Sequence, residues 1–130
     1  MRYVASSILL IIALLLVLST TPYLAVKAPL LATFAMNFSP STLSVQQGDS
    51  GTVQITVTSI NKFSAPVSLS FSGAPNGVSI DFDKNPVTPP PGGDDSSTAY
   101  FSIDPSVPAT SYQMRLDGSS GSDVKKYDFT

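Results

Sequence analysis

The 130-residue chain contains no cysteine, no histidine, no glutamate and no tryptophan. Without cysteine it has neither a disulfide nor a thiolate nucleophile, so a fold outside the cell must be held by its apolar core. Without histidine it lacks the commonest general base and the commonest metal ligand. Aspartate is the only acidic side chain, and no motif sets two aspartates in a cleft as acid and base. The composition therefore predicts a protein that is not an enzyme and binds no cofactor.

Charged residues are also scarce, and their balance is slightly negative. Lysine and arginine number 7 and aspartate 9, for a net charge of −2. Nucleic-acid binding needs clustered basic side chains to neutralise phosphates, so we expect no nucleic-acid partner. Serine and threonine are abundant instead, with 21 and 11 residues. Their hydroxyl groups solvate a strand surface without long charged side chains, which indicates a β-rich domain.

The longest apolar run lies close to the start of the chain. It covers 11 residues, Ile8 to Leu18, and follows a start that carries Arg2 and the terminal amine. A basic start before an apolar run of this length is typical of a secretory signal or an N-terminal membrane anchor. We therefore predict that the remainder of the chain is extracellular or displayed at the cell surface.

Residues 1 to 28 are predicted to be a signal peptide or a membrane anchor. Signal peptidase requires small residues at the first and third positions before the cut, which Ala28 with Val26 or Ala35 with Thr33 would supply. If neither site is cut, residues 3 to 18 hold the protein in the membrane. The apolar segment then continues toward Tyr23 to reach the roughly 20 residues that a bilayer core requires.

From Phe34 onward apolar residues recur at every second position, which is the period of a β-strand with one buried face. The alternating sets are Phe34, Met36 and Phe38; Leu43 and Val45; Val53, Ile55 and Val57; Val67, Leu69 and Phe71; Val78, Ile80 and Phe82; Ala99, Phe101 and Ile103; and Tyr112, Met114 and Leu116. A last segment, Val124 to Phe129, alternates less well. Turn residues such as Asn76-Gly77 separate the sets. Lys125 and Lys126 indicate that the last strand lies at a sheet edge. The pattern predicts an all-β protein, an antiparallel sandwich of about seven strands behind an N-terminal hydrophobic helix.

Several short motifs along the chain match one family. They are Pro40, Leu43, Val45 and Gly48; Val53, Ile55 and Val57; Phe63, Ser64, Pro66, Val67 and Leu69; Pro75, Gly77 and Val78; and residues 107 to 112. Residues 38 to 130 thereby resemble the immunoglobulin-like domains of archaeal and bacterial cell-surface and secreted proteins. Thr110 stands where the family usually has glycine, and Lys125-Lys126 interrupts the alternation usual in its last strand. The resemblance implies an immunoglobulin-like sandwich but no single function, because such modules serve as spacers, adhesins, filament subunits and ligand binders.

Two acidic groups are candidate cation ligands. Asp81, Asp83 and Asn85 stand at alternate positions, and their oxygens suit Ca²⁺, which takes roughly 6 to 8 of them. Alternation with the apolar positions of the same strand favours solvent-facing side chains instead. Asp94 and Asp95 follow two glycines in a predicted loop and are interpreted as solvated loop charge. We therefore predict no metal site and keep the first three as weak candidates.

Asn37 begins the one N-glycosylation sequon of the chain, Asn37-Phe38-Ser39. The alternation places Asn37 on the face opposite Met36 and Phe38, so we expect its side chain to be accessible. Glycosylation of Asn37 requires an export route that contains the enzyme that transfers the glycan.

Residues 29 to 37 are predicted to be either an apolar N-terminal extension or the first strand, with the sandwich itself at residues 38 to 130. If the segment is the first strand, its apolar side chains pack in the sandwich of the same chain. If it is a free extension, it can act as a donor strand that pairs with an open sheet edge of the next copy. The candidate donor residues are Leu30, Leu31, Phe34, Met36 and Phe38.

The functional expectation is an exported, non-catalytic surface module that acts by adhesion, spacing or assembly. Its expected partners are other surface proteins or copies of itself. One alternative is a subunit of an extracellular filament that polymerises by strand donation, since head-to-tail pairing does not close. The other is a small carbohydrate- or Ca²⁺-binding module.

Overall fold

The computed structural model describes residues 28 to 130, and residues 1 to 27 of the predicted leader lie outside them. These residues form seven strands, and the predicted all-β class is confirmed. The strands are β1 (Thr33–Ser39), β2 (Ser50–Ile60), β3 (Ser68–Ser72), β4 (Val78–Phe82), β5 (Asp94–Ile103), β6 (Met114–Ser120) and β7 (Asp123–Phe129). No helix among the described residues is long and apolar enough to cross a membrane.

The strands make two antiparallel sheets that pack as a sandwich. One has the order β1-β2-β5-β4 and the other the order β3-β6-β7. β7 therefore lies at a sheet edge, as its two lysines predict. It pairs with β6 over its whole length, from Asp123 opposite Ser120 to Phe129 opposite Met114.

The core lies between the sheets and uses the predicted alternation. In β2 the side chains of Val53, Ile55 and Val57 are fully buried, while Thr52 and Gln54 between and beside them are exposed. Aromatic rings close the β6–β7 side, where Phe129 lies 5.4 Å from Phe71, centroid to centroid. Because both sheets contribute to a single apolar cluster, hydrophobic burial holds them together without a disulfide.

Three details differ from the sequence expectation. Leu43 and Val45 alternate, but they lie in the β1–β2 connection and not in a strand. Asp94 and Asp95 begin β5 and do not form a loop tip. The predicted domain boundary between residues 37 and 38 falls inside β1, which runs without a break to Ser39. Strands begin and end where they find pairing partners, here β2 and β5. The local sequence pattern contains no information about those partners, and this explains each difference.

The connections fall at two opposite ends of the sandwich. The upper end has the start of β1, the β2–β3 turn, the β4–β5 connection and the β6–β7 turn. Asn61 and Lys62 form the β2–β3 turn with φ of 53° and 64°. The lower end has the β1–β2, β3–β4 and β5–β6 connections, and at Gly77 of the second a φ of 92° favours glycine. The seven residues of β1 separate the two ends by about 20 Å.

Candidate functional site

The predicted calcium ligands are committed to hydrogen bonds within the fold. Asn85 accepts a hydrogen bond from the Leu69 N–H at 2.9 Å and donates one to the Leu69 carbonyl at 2.8 Å. Its amide thus pairs with the edge of β3 as a neighbouring strand would. Asp81 is exposed on the outer face of β4. The two side chains therefore have different surroundings.

Asp83 serves as an acceptor for β5. Its Oδ1 receives the Thr98 N–H at 2.7 Å and the Ser97 hydroxyl at 3.0 Å. The Thr98 hydrogen bond is the main reason that the pKa of Asp83 lies below its usual value. Ser97 is a buried polar side chain, and this carboxylate satisfies it. Asp83 therefore joins the end of β4 to β5.

Asp95 and Lys84 form an ion pair across the β4–β5 connection. The hydrogen bond from Lys84 is the largest cause that holds the pKa of Asp95 below its usual value. Asp95 also accepts the N–H of Thr88 at 3.2 Å, which orders the proline-rich segment. Among residues 28 to 130, no three acidic side chains gather as a group that would hold a metal ion.

The remaining carboxylates with lowered pKa values stand at turns. Asp104 accepts the hydroxyl of Ser106, and this hydrogen bond is the first cause of its lowered pKa. Asp123 accepts the Thr33 hydroxyl, which lowers its pKa most, and lies 3.0 Å from the Lys125 ammonium. Asp123 thereby joins the start of β7 to the start of β1. These carboxylates stabilise connections as ionised acceptors.

An open cleft of about 610 Å³ lies at the lower end. The β1–β2 and β5–β6 connections form its walls, and β4, β5, β6 and β7 close its floor. The apolar lining comprises Leu43, Val45, Val78, Phe101, Ile103, Val107, Met114 and Phe129. Its other lining side chains, all within the described part of the chain, are uncharged. The cleft therefore suits an uncharged ligand that presents both apolar surface and hydrogen-bonding groups. Below, "the lower cleft" means this feature.

Tyr112 fixes the β5–β6 wall of the lower cleft. Its hydroxyl donates a hydrogen bond to the Pro108 carbonyl at 2.9 Å, which closes the connection on itself just before β6. On the opposite wall, the Gln47 amide donates to the Val107 carbonyl at 2.5 Å. The Leu43 N–H donates to the Thr130 carbonyl at 2.9 Å, which ties the first wall to the end of β7. The cleft is thus held open by hydrogen bonds between its walls.

Sequence reasoning did not find the lower cleft. Leu43 and Val45 carried a strand-like signal, but pairing partners are missing there, so their side chains line the cleft half-buried. One feature of the sequence does indicate a connection at this place. Apolar alternation stops between Ile103 and Tyr112, where Pro105 and Pro108 prevent strand pairing.

At the upper end, two of the predicted donor residues are strongly exposed. Leu30 and Leu31 expose 79% and 80% of their surface. The Asn61 amide donates to the Leu31 carbonyl at 2.9 Å, which positions this backbone ahead of β1. We call residues 28 to 32 the entry segment. Neither leucine belongs to the core.

The other predicted donor residues lie in β1 of the same chain. Phe34 and Met36 are buried and Phe38 packs on the core, opposite Ser59, Val57 and Ile55 of β2. Phe38 also approaches Tyr127 of β7, with ring centroids 5.8 Å apart. Strand donation by these residues would therefore require β1 to leave its own sheet.

Asn37 is exposed on the outer face of β1, opposite Thr56. This agrees with the alternation. The hydroxyls of Thr56 and Ser96 lie 3.3 Å apart on the same face, which places Asn37 at the margin of a polar surface. Whether a glycan is attached at Asn37 stays a prediction.

Comparisons with known proteins give a likeness in fold. No protein-family model and no curated protein matches the chain. Among solved structures, the chain is similar to a family 123 glycoside hydrolase from Clostridium perfringens, whose structure addressed glycolipid glycan hydrolysis. The TM-score is 0.56 at 12% identity, over 75% of this chain and 26% of that chain. The likeness extends to a portion of the hydrolase and shows fold alone.

Proposed function

We propose that the described residues are an immunoglobulin-like domain of the kind displayed on prokaryotic cell surfaces. The sheet orders β1-β2-β5-β4 and β3-β6-β7 support this, since they correspond to the strand arrangement of constant-type immunoglobulin domains. The Tyr112 hydrogen bond to Pro108 supports it independently, because a tyrosine at this corner is a hallmark of the fold.

The function that follows is that of an exported, non-catalytic module acting by spacing, adhesion or assembly. The observation that carries it is the use of the carboxylates: Asp83, Asp95, Asp104 and Asp123 each accept hydrogen bonds that brace a connection. Lowered pKa values keep them ionised near neutral pH, so they are unsuited to general acid catalysis. The apolar run of Ile8 to Leu18 supports export.

Protease protection and N-terminal sequencing in the native host test this proposal. If the module is exported, protease added to intact cells removes it, or it is recovered from the medium with a new N-terminus near Ala28 or Ala35. A variant with Leu14→Arg and Leu15→Arg, which interrupts the apolar run, should stay inside and be protected. A wild-type chain that is protected in intact cells and degraded only after lysis would contradict export.

A further inference from the structure

The two ends of the sandwich are chemically complementary. The upper end presents the entry segment, Ala-Pro-Leu-Leu-Ala, which is uncharged and carries two leucines with 79% and 80% of their surface exposed. The lower end presents the lower cleft, whose lining combines apolar side chains with uncharged polar ones and, among the described residues, includes no charged side chain. The entry segment and the cleft lie at opposite ends of the sandwich, about 20 Å apart along β1, so they do not meet within one domain.

We propose that the entry segment of one copy docks in the lower cleft of a second copy, so that the domains assemble head to tail. The occupant is a second copy of this chain. This inference goes beyond the proposed function but rests on it in one respect, because a leader cut after Ala35 would remove the entry segment; docking requires a chain that keeps residues 29 to 32. It also differs from strand donation, because β1 stays paired with its own β2.

The dimensions of the two parts agree. Five extended residues span roughly 16 Å, and ligand clefts of about 300 to 1,000 Å³ hold segments of this size. The lower cleft is within that range at about 610 Å³. Its walls include residues 43 to 46 and 109 to 112, which lie outside the strands. The serine, threonine and glutamine side chains of these walls offer hydroxyl and amide groups to the backbone of an extended segment.

Charge favours this occupant over a charged peptide. Neither the entry segment nor the lining of the lower cleft carries a charged side chain, so docking desolvates no unpaired ion. The contact is heterologous, since patch and cleft are different surfaces, and such contacts generate open chains when the rotation does not close. The entry segment has five residues, far fewer than the roughly 20–30 a side of a standard interface, so we expect weak assembly that increases with concentration.

Disulfide trapping tests the proposal, because the natural chain has no cysteine to interfere. Leu30→Cys and Ala109→Cys place one thiol on the entry segment and one at the exposed mouth of the lower cleft. The full chain that carries both should give a ladder of dimers, trimers and larger species after mild oxidation. A mixture of the two single variants should stop at the dimer, because each copy then carries one thiol.

The matched control replaces Lys126, which is exposed on the outer face of β7, opposite Asp117 in the middle of the strand. The pair Lys126→Cys with Ala109→Cys should give no ladder. An equal ladder from this control pair, or no oligomer from the Leu30 pair, would overturn the proposal. A dimer from Leu30→Cys alone as abundant as the mixed dimer would also overturn it, since it would show a symmetric contact.

A second measurement does not depend on thiol chemistry. Sedimentation velocity of protein whose N-terminal sequence retains residues 29 to 32 should show a mean mass that increases with concentration. Leu30→Asp with Leu31→Asp should weaken self-association at least tenfold, whereas Lys126→Asp should leave it unchanged. A mass that remains that of the monomer at millimolar concentration for wild-type protein that keeps these residues would contradict the proposal, whether or not the protein is exported.

Discussion

Gly118 and Met36 show how a single missing side chain lets the two sheets pack. Gly118 lies in β6 and is buried, and a Cβ built there would overlap the Met36 sulfur of β1. The aromatic ring of Phe34 stands 3.4 Å from the same point. The backbone of Gly118 does not need a positive φ, so the requirement for glycine here is one of space.

Gly118→Ala is expected to destabilise the fold by about 1–3 kcal/mol, the usual cost of an added methyl group in a packed core. Urea denaturation of the wild type and variant measures this. Met36→Ala removes the overlapping group at its own cost of about 2–5 kcal/mol. The double variant should therefore be more stable than the sum of the single effects indicates. Simple additivity would show that the overlap is relieved by other means.

Asn85 is a residue whose role the structure changes from candidate ligand to strand cap. Both of its amide groups are bonded to the backbone of Leu69. Together with the bridge between Val67 and Val87, they cover the edge of β3. A capped edge is protected from pairing with other chains.

Asn85→Asp is expected to lower the unfolding free energy by about 1–3 kcal/mol, because the Leu69 carbonyl loses its donor and faces a carboxylate. Thermal unfolding with and without Ca²⁺ checks this, and the loss should be equal in both. Asp81→Asn, on the exposed face nearby, should change stability by less than about 0.5 kcal/mol. Recovery of the Asn85→Asp variant by Ca²⁺ would instead indicate a cation site, since a ligand bound to the folded state must stabilise it.

At the scale of elements, the connection between β5 and β6 has two structural roles. It joins a strand of one sheet to a strand of the other and forms one wall of the lower cleft. Val107 anchors it in the core, and its N–H donates to the Asp104 carbonyl at 3.1 Å. The Tyr112 hydroxyl completes it through Pro108.

Tyr112→Phe removes one hydroxyl and should cost about 0.5–1.5 kcal/mol, the net value of one hydrogen bond. Tyr100→Phe is the matched control, because Tyr100 lies 49% exposed on the outer face of β5. Chemical denaturation of both variants gives the comparison. Equal effects of the two substitutions would show that the Tyr112 hydrogen bond does not stabilise the connection.

For the whole molecule, the acidic side chains decide how stability depends on pH. Asp83, Asp95, Asp104 and Asp123 have pKa values below the ordinary value. In the unfolded chain they titrate near pH 4, so the folded state binds fewer protons in this region. Their contribution is therefore fully present above about pH 4 and is lost as the pH decreases through the folded pKa values.

The melting temperature should accordingly stay nearly constant from pH 8 to pH 5, because the chain has no histidine to titrate there. It should decrease below about pH 4. Asp83→Asn should reduce the size of this decrease, since one of the four linked groups is removed. Calorimetry across the range measures both curves, and a steep loss between pH 7 and pH 5 would be inconsistent with this account.

The sequence alone determined the strand class, the inward faces and the edge position of β7. These depend on local alternation and on lysines, which are visible without knowledge of any partner. It did not determine that Val87, in a proline-rich stretch, is fully buried, or that Asn85 would bond to Leu69 across 16 positions. Those outcomes depend on which segments meet in space.

The same distinction separates the leader from the lower cleft. The apolar run of Ile8 to Leu18 predicts export by its composition, because a signal or anchor segment is recognised by its length and hydrophobicity and not by a fold. Only the tertiary structure decided that Leu30 and Leu31 are exposed at one end while Leu43 and Val107 line a cleft at the other. The physical reason is that a cleft exists only between connections, and the positions of connections follow from the pairing of strands distant in the chain.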